Sequence, residues 1–222
     1  MAILAGILLA AAAAPAPAGA RPRPRVDAPA EAAAAVQRSA AYLRSLSSLT
    51  LDARMEIDTF DEAGKPARER NVIHYEYSAP DGLFLDWSSN GEKRQIYSNG
   101  SAISLFLPAS STYVTLAERS TAGEALGMVI EDFDIVMPLP DFFVWSGEKS
   151  PGPLPPVRRL GRQRIDGIVT DHYSVRQDDI DFQIWIDRGE RPLPRRILII
   201  APEDPDMPRF AASLRWTVEP RH

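Results

Sequence analysis

From residue 49 to residue 58 the chain reads Leu-Thr-Leu-Asp-Ala-Arg-Met-Glu-Ile-Asp, with an apolar side chain at every odd position and a polar one at every even position. Successive side chains of a strand point to opposite faces, so this stretch presents one apolar face and one wet face. A helix would scatter the same residues around its axis. The pattern therefore predicts an antiparallel strand with one side packed on a core and the other in water.

Comparable stretches recur at residues 72–77, 83–87, 95–97, 101–107, 112–116, 157–165, 168–176, 180–187, 195–201 and 210–218, about eleven strands in all. Turn residues separate them: Pro80-Asp81-Gly82, Asn90-Gly91, Asn99-Gly100 and Asp166-Gly167. Asn-Gly and Asp-Gly suit two-residue hairpins because both turn positions need positive φ. Helical periodicity appears at 27–47, where Val36, Ala40 and Leu43 share a face, and again from Thr121, which stands at capping-box spacing from Glu124. A short third helix is predicted from Asp141, and the Pro- and Gly-rich residues 146–156 read as an exposed connection.

The predicted fold class is α+β: a strongly curved antiparallel sheet, an unclosed β-barrel, covered by two or three helices. So few helices leave part of the concave face uncovered. The aromatics Tyr75, Trp87, Phe182 and Trp216 on strands, with Phe142, Phe143 and Trp145 from the middle segment, are candidates to line an apolar ligand groove there. Taken one at a time, each fits a core position better than a groove.

The N-terminus bears on location. Residues 2–14 form an apolar run too short for a membrane span, which needs about 20 residues, and within the roughly 7–15 of an export-signal core. Ala18-Gly19-Ala20 fits the cleavage pattern, although no Lys or Arg precedes the run. The expected organisation is a cleaved signal at 1–20, a Pro/Arg linker at 21–27 and one domain at 28–222, periplasmic and without a stable membrane anchor.

Composition narrows the chemistry. There is no cysteine, so thiol catalysis and zinc–thiolate sites are excluded. With 25 Lys and Arg against 30 Asp and Glu, the net charge of −5 gives a nucleic-acid partner no general electrostatic support. His172 and Ser174 share a strand face, but no G-x-S-x-G elbow accompanies them, and a strand-surface histidine is the simpler account. Asp178, Asp179, Asp181 and Asp187 lack the spacing of a calcium loop and read as a solvated hairpin. Arg158, Arg159, Arg162 and Arg164 suit the charged guard of an edge strand better than a lipid-headgroup site. No cofactor and no metal are implied.

A resemblance adds to this. The stretch from Ile96 through Asn99-Gly100 and Pro108 to Tyr113, together with Asp166-Gly-Ile-Val-Thr-Asp-His-Tyr173, Asp181-Phe-Gln-Ile-Trp-Ile-Asp187 and Gly189-Glu-Arg-Pro-Leu-Pro-Arg195, resembles a family of predicted periplasmic proteins that has no assigned activity. In layout the chain is similar to the outer-membrane lipoprotein carriers LolA and LolB and to a periplasmic stress-sensor domain. That likeness implies an unclosed β-barrel over helices, with an apolar cavity for acyl chains. No residue matches the lipidated cysteine of LolB. The expected function is a non-enzymatic periplasmic carrier for a lipid, an acylated protein or another apolar ligand. The alternatives are an interaction or sensor domain that binds another envelope protein without a cavity, and, further off, an envelope hydrolase using His172.

Overall fold

The computed structural model describes residues 29–60, 63–117, 119–122, 124, 125, 127, 128, 155–177, 179–202, 204 and 209–218. One helix, α1 (Pro29–Ser45), precedes eleven strands: β1 (Ser48–Phe60), β2 (Pro66–Ser78), β3 (Gly82–Ser89), β4 (Glu92–Asn99), β5 (Ile103–Leu107), β6 (Thr112–Leu116), β7 (Val157–Ile165), β8 (Ile168–Gln177), β9 (Ile180–Asp187), β10 (Pro194–Ile200) and β11 (Phe210–Val218). They form one antiparallel sheet in the order β6-β5-β4-β3-β2-β1-β11-β10-β9-β8-β7. Both halves are plain meanders, each strand pairing with the next along the chain. The join is non-local: β1 pairs with β2 on one side and with β11 on the other, from Leu49↔Val218 to Ile57↔Phe210. β6 and β7 are the two edges, so the barrel is not closed.

The turns follow from residue type. Asn90 and Gly91 have φ of 49° and 88°, and Asp166 and Gly167 have 46° and 84°, the two positive values a tight hairpin requires. At Gly100 (φ 81°) a Cβ would stand 2.6 Å from Cβ of Asp81, so glycine is needed for space as well as conformation. Strand β5 begins at Ile103, two residues later than the alternation predicts. The reason is local: Asn99 Oδ1 accepts the backbone N–H groups of Ser101 (3.0 Å) and Ala102 (3.1 Å), which holds them in a turn rather than a ladder.

One face of the sheet carries the core. Leu51, Tyr75, Leu85 and Ile96 lie side by side on β1, β2, β3 and β4 and are fully buried. Each such side chain stabilises the fold by about 1.5–3 kcal/mol. Helix α1 packs on this face through Ala32, Val36, Ser39 and Leu43, a helical spacing, and Ser39 Oγ donates to the Pro192 carbonyl at 2.6 Å. At its C-terminal side the Ala79 N–H donates to the Ser47 carbonyl at 2.8 Å. The capping box forms as predicted, with Thr121 N–H donating to Glu124 Oε2 at 2.8 Å and helical residues following at 122, 124, 125, 127 and 128. Ala122 and Ala125 are buried, and Ala122 N–H donates to the Pro80 carbonyl. Both helical pieces are thus tied to the end of the sheet where β1 begins and β2 turns into β3. Of the two or three helices expected, α1 is the one complete helix among the described residues, with isolated helical residues after Thr121; the third, from Asp141, lies outside the described residues, as do the expected signal and linker at 1–27.

The edge guard holds for β7 with one amendment. A bulge between Arg159 and Gly161 shifts the register, and Arg159 and Arg162 both reach Asp171 Oδ1, at 2.5 and 3.3 Å. Arg159 is largely buried, so it belongs to an ion pair rather than to the guard.

Leu51→Ala should cost about 2–5 kcal/mol in denaturant unfolding, because Leu51 is wholly buried where the two meanders join. Tyr113→Thr, at 72% exposure on the β6 edge, should stay within about 0.5 kcal/mol.

Candidate functional site

Register, rather than any motif, assembles the site. On the core-facing side Val175 of β8 pairs with Phe182 of β9, Phe182 with Ile199 of β10, Ile199 with Phe210 of β11, and Phe210 with Ile57 of β1. Five apolar side chains from five neighbouring strands form one row, about 19 Å long at the spacing of strands in a sheet. Its members differ from the core proper: Phe182, Ile199, Phe210 and Ile57 are only half-buried, whereas the row through Leu51 and Tyr75 is sealed. The half-buried row crosses the end of the sheet opposite the anchor points of α1.

On β2 the row runs into a polar corner. Ile57 pairs with Glu69, whose Oε1 accepts from Asn71 Nδ2 (2.9 Å) and Ser89 Oγ (2.8 Å). Asn71, 1% exposed, accepts in turn from Trp87 Nε1 at 2.8 Å, and the Arg94 guanidinium stands 5.1 Å over the Trp87 ring. A buried amide is tolerable only with its hydrogen bonds made, and here they are made along one connected chain. The arrangement is a half-buried apolar row that ends in fixed donors and acceptors.

The aromatics singled out from sequence fall differently. Phe182 is in the row. Trp87 belongs to the polar corner. Trp216 is half-buried on the same face, pairs with Leu51, and donates through Nε1 to the Pro194 carbonyl at 2.5 Å. Tyr75 is fully enclosed, and burial pushes its hydroxyl pKa well up. Phe142, Phe143 and Trp145 lie outside the described residues. Nothing in the sequence marks Ile57, Ile199 and Phe210, because an apolar residue in an alternating strand carries no sign of which row it joins.

The opposite face is polar. His172 stacks on Trp185, with centroids 3.9 Å apart, and donates through Nε2 to Gln183 Oε1 at 2.9 Å. Ser174 Oγ donates to Asp181 Oδ1 at 2.5 Å, and Gln183 Nε2 to Asp181 Oδ2 at 2.8 Å. His172 and Ser174 therefore make no nucleophile–base contact; Gln183 and Asp181 stand between them. Asp187, from the acidic cluster, is held by a two-pronged pair with Arg195 at 2.6–2.9 Å. Among the described residues no three His, Asp or Glu side chains converge as a metal site would require, and no helix is long and apolar enough to cross a membrane.

A family described as "Predicted periplasmic protein (DUF2092)" matches residues 32–222, and the chain belongs to it. No curated protein matches in sequence. Among solved structures the chain is similar to the lipoprotein LppX of Mycobacterium tuberculosis, at 14% identity and TM-score 0.45, over 87% of this chain and 98% of that one. It is also similar to LprF of Mycobacterium bovis, at 13% and 0.47 over 86% and 97%, and to a LolA superfamily protein of Nitrosomonas europaea, at 11% and 0.36 over 86% and 94%.

The two outer-face histidines should titrate on opposite sides of the ordinary value of 6.5. Burial lowers the pKa of His172, with Arg196 adding to it and Gln183 and Asp181 opposing. The hydrogen bond to Asp52 raises that of His74, assisted by Glu76 and opposed by burial. His172 thus contributes stability that is present above 6.5 and lost as pH falls through its folded value; His74 contributes stability that is present below 6.5 and lost as pH rises through its own. NMR titration of the two imidazoles checks this, and a crossing of the two curves would contradict it.

Proposed function

We propose that this periplasmic DUF2092 protein is a non-enzymatic binding or carrier protein for an amphiphile with a long apolar chain, such as a lipid or an acylated protein. The observation that carries the reading is the half-buried row Phe182–Ile199–Phe210–Ile57, closed at one end by the bonded Glu69–Asn71–Trp87 corner. Apolar surface left half open at the mouth of a sheet gains about 25 cal/mol per Å² when a ligand covers it. An acyl chain along the row covers it lengthwise, and the corner supplies a polar head with partners already oriented. Preorganisation of this kind reduces what binding must spend on ordering.

A second reading is favoured by one feature. Thr112, Tyr113, Val114 and Thr115 of the edge strand β6 are all exposed. An exposed edge with apolar side chains is a surface on which a partner strand can add, as an envelope interaction or sensor domain requires.

The test is binding of a fluorescent fatty-acid probe to the purified chain at micromolar concentration. The wild type should bind, and Phe210→Asp should weaken binding at least tenfold, while Val72→Asp, exposed on the opposite face, leaves it unchanged. A chain that ignores the probe, or a Phe210→Asp variant that binds as well as the wild type, contradicts the carrier reading and leaves the β6 edge as the better supported one.

A further inference from the structure

On the face away from the apolar row, β11 presents Ala211, Ser213 and Arg215 at alternate positions, with Arg209 just before the strand. Its two neighbours place arginines beside the serine: Ser213 pairs with Arg54 of β1 and with Arg196 of β10. The two arginines therefore stem from points about 10 Å apart, two strand spacings, and the side chains between them on β11 are small. The result is a groove of about 580 Å³ with Ala211 and Ser213 on its floor and Arg54, Arg196, Arg209 and Arg215 around it.

The carboxylates that line the groove already have partners. Asp52 bonds His74 at 2.7 Å, Glu56 meets Arg68 and Arg70 at 3.6 and 3.5 Å, and Asp166 meets Arg215 at 3.6 Å. Among the described residues Arg54, Arg196 and Arg209 pair with no carboxylate. Arg196 is instead positioned by stacking, its guanidinium 5.1 Å over the Trp185 ring, which itself is fixed by His172 on its far side and by Gln163 at 2.6 Å. A guanidinium held in place over an aromatic face loses less freedom when it binds.

We infer that this groove is a binding site for a phosphate group, carried by a phosphate ester. Three guanidinium groups without carboxylates, and an exposed hydroxyl between two of them, offer more donors than the two oxygens of a carboxylate can accept. A phosphate monoester, with three terminal oxygens to share, matches them. The site lies on the opposite face from the apolar row and stands or falls independently of it.

The test uses the intact purified chain and the double variant Arg54→Gln/Arg196→Gln. A charge-matched control, Arg158→Gln/Arg164→Gln, removes two arginines from the β7 edge. One arm titrates inorganic phosphate and follows the backbone amide of Ser213 by NMR; the other measures co-sedimentation with vesicles of phosphatidic acid against phosphatidylcholine. Binding in either arm, weakened at least tenfold in Arg54→Gln/Arg196→Gln and less than twofold in the control, supports the site. A response to phosphate assigns it to a soluble phosphate monoester, and a response to phosphatidic acid vesicles alone to a phosphomonoester lipid headgroup. No binding in either arm, or an equal loss in the control, overturns it. The amide spectrum of Arg54→Gln/Arg196→Gln away from the groove and its thermal unfolding midpoint should match the wild type, which shows that the variant is folded whatever the fate of the carrier reading.

Discussion

The ladder between β1 and β11 is the interaction on which the rest of the structure depends. Each half of the chain is a local meander that hairpin turns can build unaided, but a meander alone has one bare apolar face and an unpaired strand at the join. Nine register pairs, from Leu49↔Val218 to Ile57↔Phe210, unite the halves into one sheet. That closure brings together residues separated by most of the described chain, so it carries the largest loop-closure cost in the fold. The fully buried Leu51 and Ala53 on the β1 side of this seam, beside Trp216 and Leu214, are what offset it.

Both sites straddle the same seam on opposite faces. Ile57 and Phe210 meet across it in the half-buried apolar row, and Arg54 and Ser213 meet across it in the arginine-lined groove. The strict alternation of β1 makes this possible, since its odd residues face the core and its even residues face away. A slip of one residue would put Arg54 among the core side chains and Leu51 in water. The register is therefore set by burial, and the placing of both sites follows from the register.

Much of the fold is legible in the sequence, because period two, Asn-Gly and Asp-Gly turns and the Thr121–Glu124 box are local signals with local causes. The departures are local too, and physical. Asn99 turns its side chain back onto Ser101 and Ala102 and delays β5, and the bulge before Gly161 turns Arg159 from edge guard to ion-pair partner. The site is far less legible. Side-chain size drew attention to Tyr75, which proves sealed, while Ile57, Ile199 and Phe210 looked like any other alternating position. Their alignment depends on pairings between strands distant in sequence, and a single chain written out in order does not display those. The same holds for Arg54 and Arg196, which stand far apart in sequence and meet only across β11.

A ligand-binding row on the core-facing side and an incompletely filled core differ in what the purified protein carries. Mass spectrometry of an organic extract, taken from the chain purified from periplasm without detergent, distinguishes them most directly. A carrier should yield a co-purified amphiphile with a long apolar chain in roughly one-to-one ratio, absent from the Phe210→Asp variant. A ligand-free wild-type chain, or the same extract from both, would contradict the carrier reading.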